Sequence, residues 1–355
     1  MAIGIRRQVL VVALAVAWIG SGAVPGWGQG IPLAPGQQGR LQADRVRYDA
    51  RAQVLTAEGN VRLTVGDLEL RAARLVLEQK TLVARASGAV TIRQAGFALE
   101  ASVVRYEIRR RLVRAEGSVR LVQGDITVSA AAVLYAFEAQ VLTAAGSVTA
   151  AQGANTLTGQ TLQANLKSRQ AEVAGDAQLV RRSAGEAGRD DPAAPAQVQE
   201  IVIRASRLRL RWDTNEASAE GGVTIRQGAT AARAGQARYD EASGRLDLVG
   251  SVVIDELGEA GSGATLAADR VVVLLRTRDL DATGNVRVAH KGRTASGNRA
   301  AYRDQSGTLV LTGRVHLQDE DGNIIRADMV TISLPNETFE ASGNVETVFS
   351  VRRSK

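Results

Sequence analysis

The sequence predicts an all-β protein, built from antiparallel strands of one unit repeated about ten times with a period near 29 residues. Three observations carry this reading. Leu55, Ala57, Gly59, Val61, Leu63 and Val65 alternate with the polar Thr56, Glu58, Asn60, Arg62 and Thr64, the period of a strand with one face hidden. The pattern recurs around glycines at 59, 88, 117, 146 and 175, each 29 residues after the last, then at 221, 250, 284, 313 and 343. The connections between segments, such as Val65-Gly-Asp67 and Gln123-Gly-Asp125, are short and turn-rich. They leave no room for helical crossovers, so consecutive strands must run antiparallel.

The N-terminus comes first in chain order. Arg6 and Arg7 precede the apolar run Val9–Ile19 and a small-residue, turn-rich stretch to Gly28, so residues 1–28 read as an export signal peptide. The alternative is an uncleaved anchor in the inner membrane. The chain has no cysteine, which leaves neither disulfides nor thiolate metal ligands. Its formal charge of +7 falls to about +5 without Arg6 and Arg7, still basic. Arg109, Arg110, Arg111 and Arg114 are the densest cluster. Basic surfaces favour anionic partners, and export makes nucleic acid the least fitting of them. Solvation of outer strand faces accounts equally well for most of these arginines.

Residues 29–40 form a Pro/Gly-rich lead, and the repeats occupy 41–349. In Leu41, Ala43 then Val46, Tyr48 the alternation slips by one residue, as it does in Leu70, Ala72 then Leu75, Leu77. A recurring parity shift marks a bulge or corner, and the companion strand is expected to bend at its central glycine. All five tyrosines, Tyr48, Tyr106, Tyr135, Tyr239 and Tyr302, lie eleven residues before a ladder glycine. They read as packing residues at strand ends. Residues 350–355 form a basic tail.

The 46-residue gap from Gly175 to Gly221 holds an Ala/Gly/Pro-rich insertion at 183–199. Because Ile203, Ala205, Leu208 and Leu210 resume the pattern in mid-repeat, it reads as an enlarged hairpin loop in a continuous stack. A division into 41–182 and 200–349 is the alternative. A smaller insertion spans Gly258–Gly263, at the same turn.

Units such as Leu55–Leu63, Leu280-Asp-Ala-Thr-Gly-Asn-Val-Arg-Val288 and Phe339-Glu-Ala-Ser-Gly-Asn-Val345, with the half-unit Leu41–Asp49, resemble the OstA-like family. That family comprises LptA, LptC and the N-terminal domain of LptD. The resemblance covers roughly residues 41–349. It implies an elongated, twisted V- or U-shaped β-jellyroll in the periplasm, whose apolar groove carries lipopolysaccharide or a related anionic glycolipid from inner to outer membrane. It also implies head-to-tail strand contacts with itself or with other transport components. The chain departs from LptA in having about twice the repeats and in its insertion at Ser183, and from LptD in lacking a long C-terminal barrel.

The residues expected to line the groove are those two and four places after the glycines: Val61, Leu63, Val90, Ile92, Val119, Leu121, Val148, Val223, Ile225, Val252, Ile254, Val286 and Val315. An interior closed on itself as an ordinary core needs the same alternation. A non-conducting structural or surface rod, acting as spacer or adhesin, is therefore the alternative function. No catalytic, metal or cofactor site is expected. His290 and His316 stand apart from any Ser/Asp or ligand pattern, and the acidic turn Asp319–Asn323 reads as a solvated hairpin.

Overall fold

The computed structural model describes residues 39–184, 198–211, 213–256, 263–336 and 338–349. Over these residues the chain forms 22 strands and no helix. It divides into two compact units. One holds the described residues up to Gln178 together with Arg209–Asp213. The other holds Leu179–Leu208 and the described residues from Thr214 onward.

The first unit begins with β1 (Gly39–Gln42) and β2 (Arg45–Asp49), which both pair with β3 (Val54–Val65). A regular antiparallel series follows: β4 (Leu68–Glu78), β5 (Val83–Gln94), β6 (Phe97–Glu107), β7 (Leu112–Gln123), β8 (Ile126–Ala136), β9 (Val141–Gln152) and β10 (Asn155–Asn165). Next come β11 (Gln170–Ala184) and β12 (Val198–Arg211), which carry residues of both units. The second unit continues through β13 (Glu216–Gln227), β14 (Thr230–Asp240), β15 (Arg245–Glu256), β16 (Ala264–Leu274), β17 (Asp279–His290), β18 (Arg293–Arg303), β19 (Thr308–Gln318) and β20 (Ile324–Ser333). Consecutive strands from β13 to β20 are antiparallel, and β20 takes both β21 (Thr338–Ser342) and β22 (Glu346–Val348) on its far side. The antiparallel all-β class is therefore as expected.

Each glycine strand carries one extra residue at its centre. Glu116 faces Ala132 and Val119 faces Ala130, so Gly117 and Ser118 stand against the single Ala131. This two-against-one count is a β-bulge, and it bends the strand. Both bulge residues are left-handed, with φ of 81° at Gly117 and 50° at Ser118. The geometry repeats down the ladder. The glycines lie between 70° and 87°, and each following residue between 46° and 65°. Asparagine tolerates that second position best among side-chain-bearing residues, which accounts for the recurring Gly-Asn pair.

The glycine also answers a steric demand. A Cβ on Gly88 would lie 2.5 Å from Cβ of Ala73, and one on Gly117 would lie 2.6 Å from Cβ of Ser102. Both partners sit where the neighbouring strand shifts parity, so the two bends nest at one corner. At three corners the fit is reinforced by an amide–carboxylate clasp. Asn60, Asn285 and Asn344 donate from Nδ2 to Asp44, Asp269 and Asp328 at 3.0, 2.9 and 2.7 Å. Ser102 and Ser206 instead donate to the carbonyls of Gly117 and Gly221.

At the tyrosine end the hairpin turns are tied to one another. The Gln79 amide donates to Gln53, Ile108 to Leu82, Phe137 to Arg111 and Leu166 to Gln140, at 2.9 to 3.0 Å. The accepting residues are left-handed, with φ of 48° to 55°.

Some boundaries differ from expectation. The first strand starts at Gly39, inside the 29–40 lead, because Gly39–Gln42 pairs with Arg62–Val65. Strand β11 runs to Ala184 and β12 starts at Val198, both inside the stretch read as loop. The expected signal peptide, residues 29–38, the centre of the insertion, the Gly258 insertion up to 262 and the basic tail lie outside the described residues.

Candidate functional site

The interior is assembled from columns. Two places after the ladder glycines, Val61, Val90, Val119, Val148, Val223, Val252, Val286 and Val315 are all at most 2% exposed. Four places after, Ile92, Leu121, Ile225 and Ile254 are buried as well, and Leu63 is half-buried. Thus all thirteen expected groove residues point inward, six of them on β3, β5 and β7 of the first unit and Val148 on β9, the rest in the second unit. The column fails only at the last repeat, where Val345 is 50% exposed.

These residues make one wall. The facing wall was not picked out from the sequence. It consists of the residues two places before each glycine, among them Ala57, Ala86, Ala115, Ala144, Leu248 and Leu311, all at most 2% exposed, with the second halves of the tyrosine strands. An apolar cavity of about 60 Å³ in the first unit shows how the walls meet. Leu63, Leu68, Leu70 and Ile92 line it from one side of the corner, and Leu75, Ala84, Ala86, Val104 and Tyr106 from the other. The two halves of each bent strand therefore look at each other across the interior. The signal for this second wall was present, since the alternation runs unbroken through the glycine. It is the weaker signal, because alanine fills most of this column and stands out less than valine.

The chemistry of this interior is uniform. Among the described residues the buried polar side chains are Asn155 and Thr230, both near strand starts. Tyr106, Tyr135 and Tyr239 close the end of their wall at 6–9% exposure, and burial pushes their hydroxyls above the usual phenol range. Phe137 meets Tyr106 and Tyr135 edge to face, with ring centroids 6.3 and 4.6 Å apart. Tyr48, on β2, is different: it is 51% exposed and donates its hydroxyl to Gln79 at 3.0 Å. Charge is confined to the outer faces. Arg245 and Arg270 hold Asp247 at 2.7 Å each, and their hydrogen bonds keep its carboxyl below the ordinary range.

Kinship is decided by the match of the repeats themselves to a known family. Residues 40–170 and 202–338 match the family described as LptA/(LptD N-terminal domain) LPS transport protein. The chain belongs to this family. Among solved structures, this LptA/LptD-type chain is similar to LptH from Pseudomonas aeruginosa, described as the LptA homologous periplasmic component of the conserved lipopolysaccharide transport device. The identity is 20%, the TM-score 0.29, and the match covers 31% of this chain and 83% of that one. No curated protein matches.

The first unit begins, and the second closes, with strands that carry exposed apolar residues. Val46 and Tyr48 on β2 are half exposed, as are Phe339 on β21 and Val348 on β22, while Phe349 reaches 69%. Among the described residues, β1 and β2 pair only with β3, and β21 and β22 only with β20. His290 ends β17, with burial pushing its imidazole below the usual range. The Asp319 carboxylate is spent on its own turn, accepting from the Asp321 and Asn323 amides and from Asn323 Nδ2. No group of three His, Asp or Glu is placed to hold a metal ion among the described residues.

Proposed function

We propose that the chain carries lipopolysaccharide, or a closely related anionic glycolipid, through the periplasm, with the acyl chains lying between the two walls. The observation that carries this reading is the pair of facing columns, apolar at every layer in a family of lipopolysaccharide transport proteins. A cavity of about 60 Å³ is smaller than an acyl chain requires, so loading parts the walls about the corner bulges. Each methylene that replaces a side-chain contact or leaves water contributes up to roughly 0.8 kcal/mol. Within each unit the layers repeat the same columns, so an acyl chain meets no large step in free energy between neighbouring layers.

The exposed end strands would join head to tail, by strand addition, to a second copy or to related transport modules. Their half-exposed Val46, Tyr48, Phe339 and Val348 would become buried in such a junction. A second reading is favoured by the closeness of the walls. In it the same stack serves as a non-conducting spacer or adhesive rod.

The test places a diazirine-bearing leucine analogue at interior Leu121 and, as control, at Val249 on β15, which is 43% exposed. After illumination with lipopolysaccharide, the carrier reading expects crosslinks at Leu121 well above those at Val249. Equal labelling at both would sink it and leave the rod. Mass spectrometry of lipid retained by gently purified protein gives an independent readout.

A further inference from the structure

The β6–β7 hairpin concentrates like charge: Arg62 opposite Arg71 is a like pair too, but here the row is three arginines long. On β14 and β15 the register sets Arg238 against Asp247, an opposite pair. At the equivalent positions, one before the tyrosine and three before the glycine, it sets Arg105 against Arg114. Arg85 stands on the other side of Arg105, so three arginines lie directly cross-strand in one row. Like charges so placed destabilise a sheet unless something offsets them. The turn beyond adds Arg109, Arg110 and Arg111, all exposed. Against these six, the structure pairs Arg105 and Arg110 with Glu107, and Arg114 with Glu116 at 3.9 Å.

The place of this cluster matters as much as its charge. Tyr106, which lines the apolar cavity, is the residue before the last of β6, and the arginine turn follows at once. The turn's backbone is held on both sides. Ile108 donates to Leu82 of the preceding turn, and Arg111 accepts from Phe137 of the next, whose ring packs on Tyr106. A pinned backbone presents the guanidinium groups from a fixed base, which lowers the ordering cost of binding.

We propose that Arg109, Arg110 and Arg111, with Arg85, Arg105 and Arg114 behind them, form an anion-binding rim that holds the phosphate-bearing headgroup of an amphiphile whose chain lies beside Tyr106. This rests on the lipid-carrying reading and deepens it, by naming where the headgroup docks. Arginine suits the task because its planar fork can engage phosphate oxygens in pairs.

The experiment titrates the full chain with three probes: a diphosphorylated acylated disaccharide, the same molecule without phosphates, and inorganic pyrophosphate. The wild type is expected to bind the phosphorylated lipid at least about tenfold more tightly than the dephosphorylated one, a preference that salt weakens. The variant R109Q/R110Q/R111Q should lose that preference and keep its affinity for the dephosphorylated lipid. Glutamine is a safe replacement at the left-handed position, since Gln53 and Gln140 already occupy it in other repeats. A preference that survives in the variant overturns the rim, as does wild-type binding of both lipids with equal affinity. Pyrophosphate binding as tightly as the phosphorylated lipid would assign the arginines to free phosphate instead. Failure of the wild type to bind either lipid removes the carrier reading itself.

Discussion

Replacing Gly88 by alanine isolates what the glycine ladder does. Two costs arise at this position. The backbone stays at φ 82°, a conformation that costs a side-chain-bearing residue about 1–2 kcal/mol. The new Cβ would also lie 2.5 Å from Cβ of Ala73, an atom fixed by its own strand, and overpacking of that kind costs about 1–3 kcal/mol more. Gly66→Ala is the control, because Gly66 also has positive φ, at 59°, yet a Cβ there meets nothing within 4 Å. It should show only the backbone cost. The double variant Gly88→Ala, Ala73→Gly should recover the packing part. Gly250 shows the room such a partner leaves, since a Cβ there would lie 3.5 Å from Cα of Gly235. Urea unfolding of the full chain reports the global loss, and amide exchange on β4 and β5 reports it locally, which matters because repeat arrays unfold in parts. If Gly88→Ala costs no more than Gly66→Ala, or the second substitution rescues nothing, nesting of the bends is not why the ladder is glycine.

Gln53 is exposed at φ 55°, so Gln53→Gly should raise stability by up to about 1 kcal/mol in the same unfolding assay, and Gln53→Val should lower it. Asn285→Ala keeps a left-handed residue but loses the 2.9 Å bond to Asp269, and a loss of about 1–2 kcal/mol is expected, against a smaller one for Asn285→Gly. The Tyr302 hydroxyl is pushed up to about 12 by burial and by Asp304, so its unfolded form ionises first. Stability from this group is intact below pH 10 and lost as pH climbs from there toward 12. Tyr302→Phe should flatten that part of the alkaline unfolding curve, followed by phenolate absorbance. Ala84→Val fills part of the 60 Å³ cavity, which at about 24 cal/mol per Å³ caps the gain near 1.4 kcal/mol. The same change should weaken lipid uptake at that layer, and uptake left untouched would place the lipid path elsewhere.

What could be read in advance followed from spacing. The ladder glycines, the valine columns behind them, the parity slip at Asp44-Arg45 and the antiparallel order all express the strand period, and local alternation encodes that period residue by residue. The corner partners were hidden for a physical reason. Asp44, Ala73, Ser102, Gln160 and Gly235 share no side-chain chemistry, only the duty of leaving room for a glycine fifteen places later. The row of Arg85, Arg105 and Arg114 was hidden differently. Its members are twenty and nine residues apart, and only the register of three strands makes them neighbours. The exposure of Val345 was hidden as well, because a column says where a side chain points and not whether another layer covers it.

A repeating interior also limits where selectivity can reside. Val61, Val90, Val119 and Val148 present the same methyl groups at each layer, so these columns cannot distinguish one acyl chain from another, or one position along the stack from the next. Discrimination by such a protein must come from places where the repeats differ. Within the first unit the strongest departure is the β6–β7 hairpin, with like charges in register on its outer face and three more arginines at its turn. Like-charge rows are a cost that the second unit avoids by setting Arg238 against Asp247. A local rule broken in one repeat and kept in its counterpart is where function is expected to sit. The uniform walls supply capacity, and the irregular rim supplies choice.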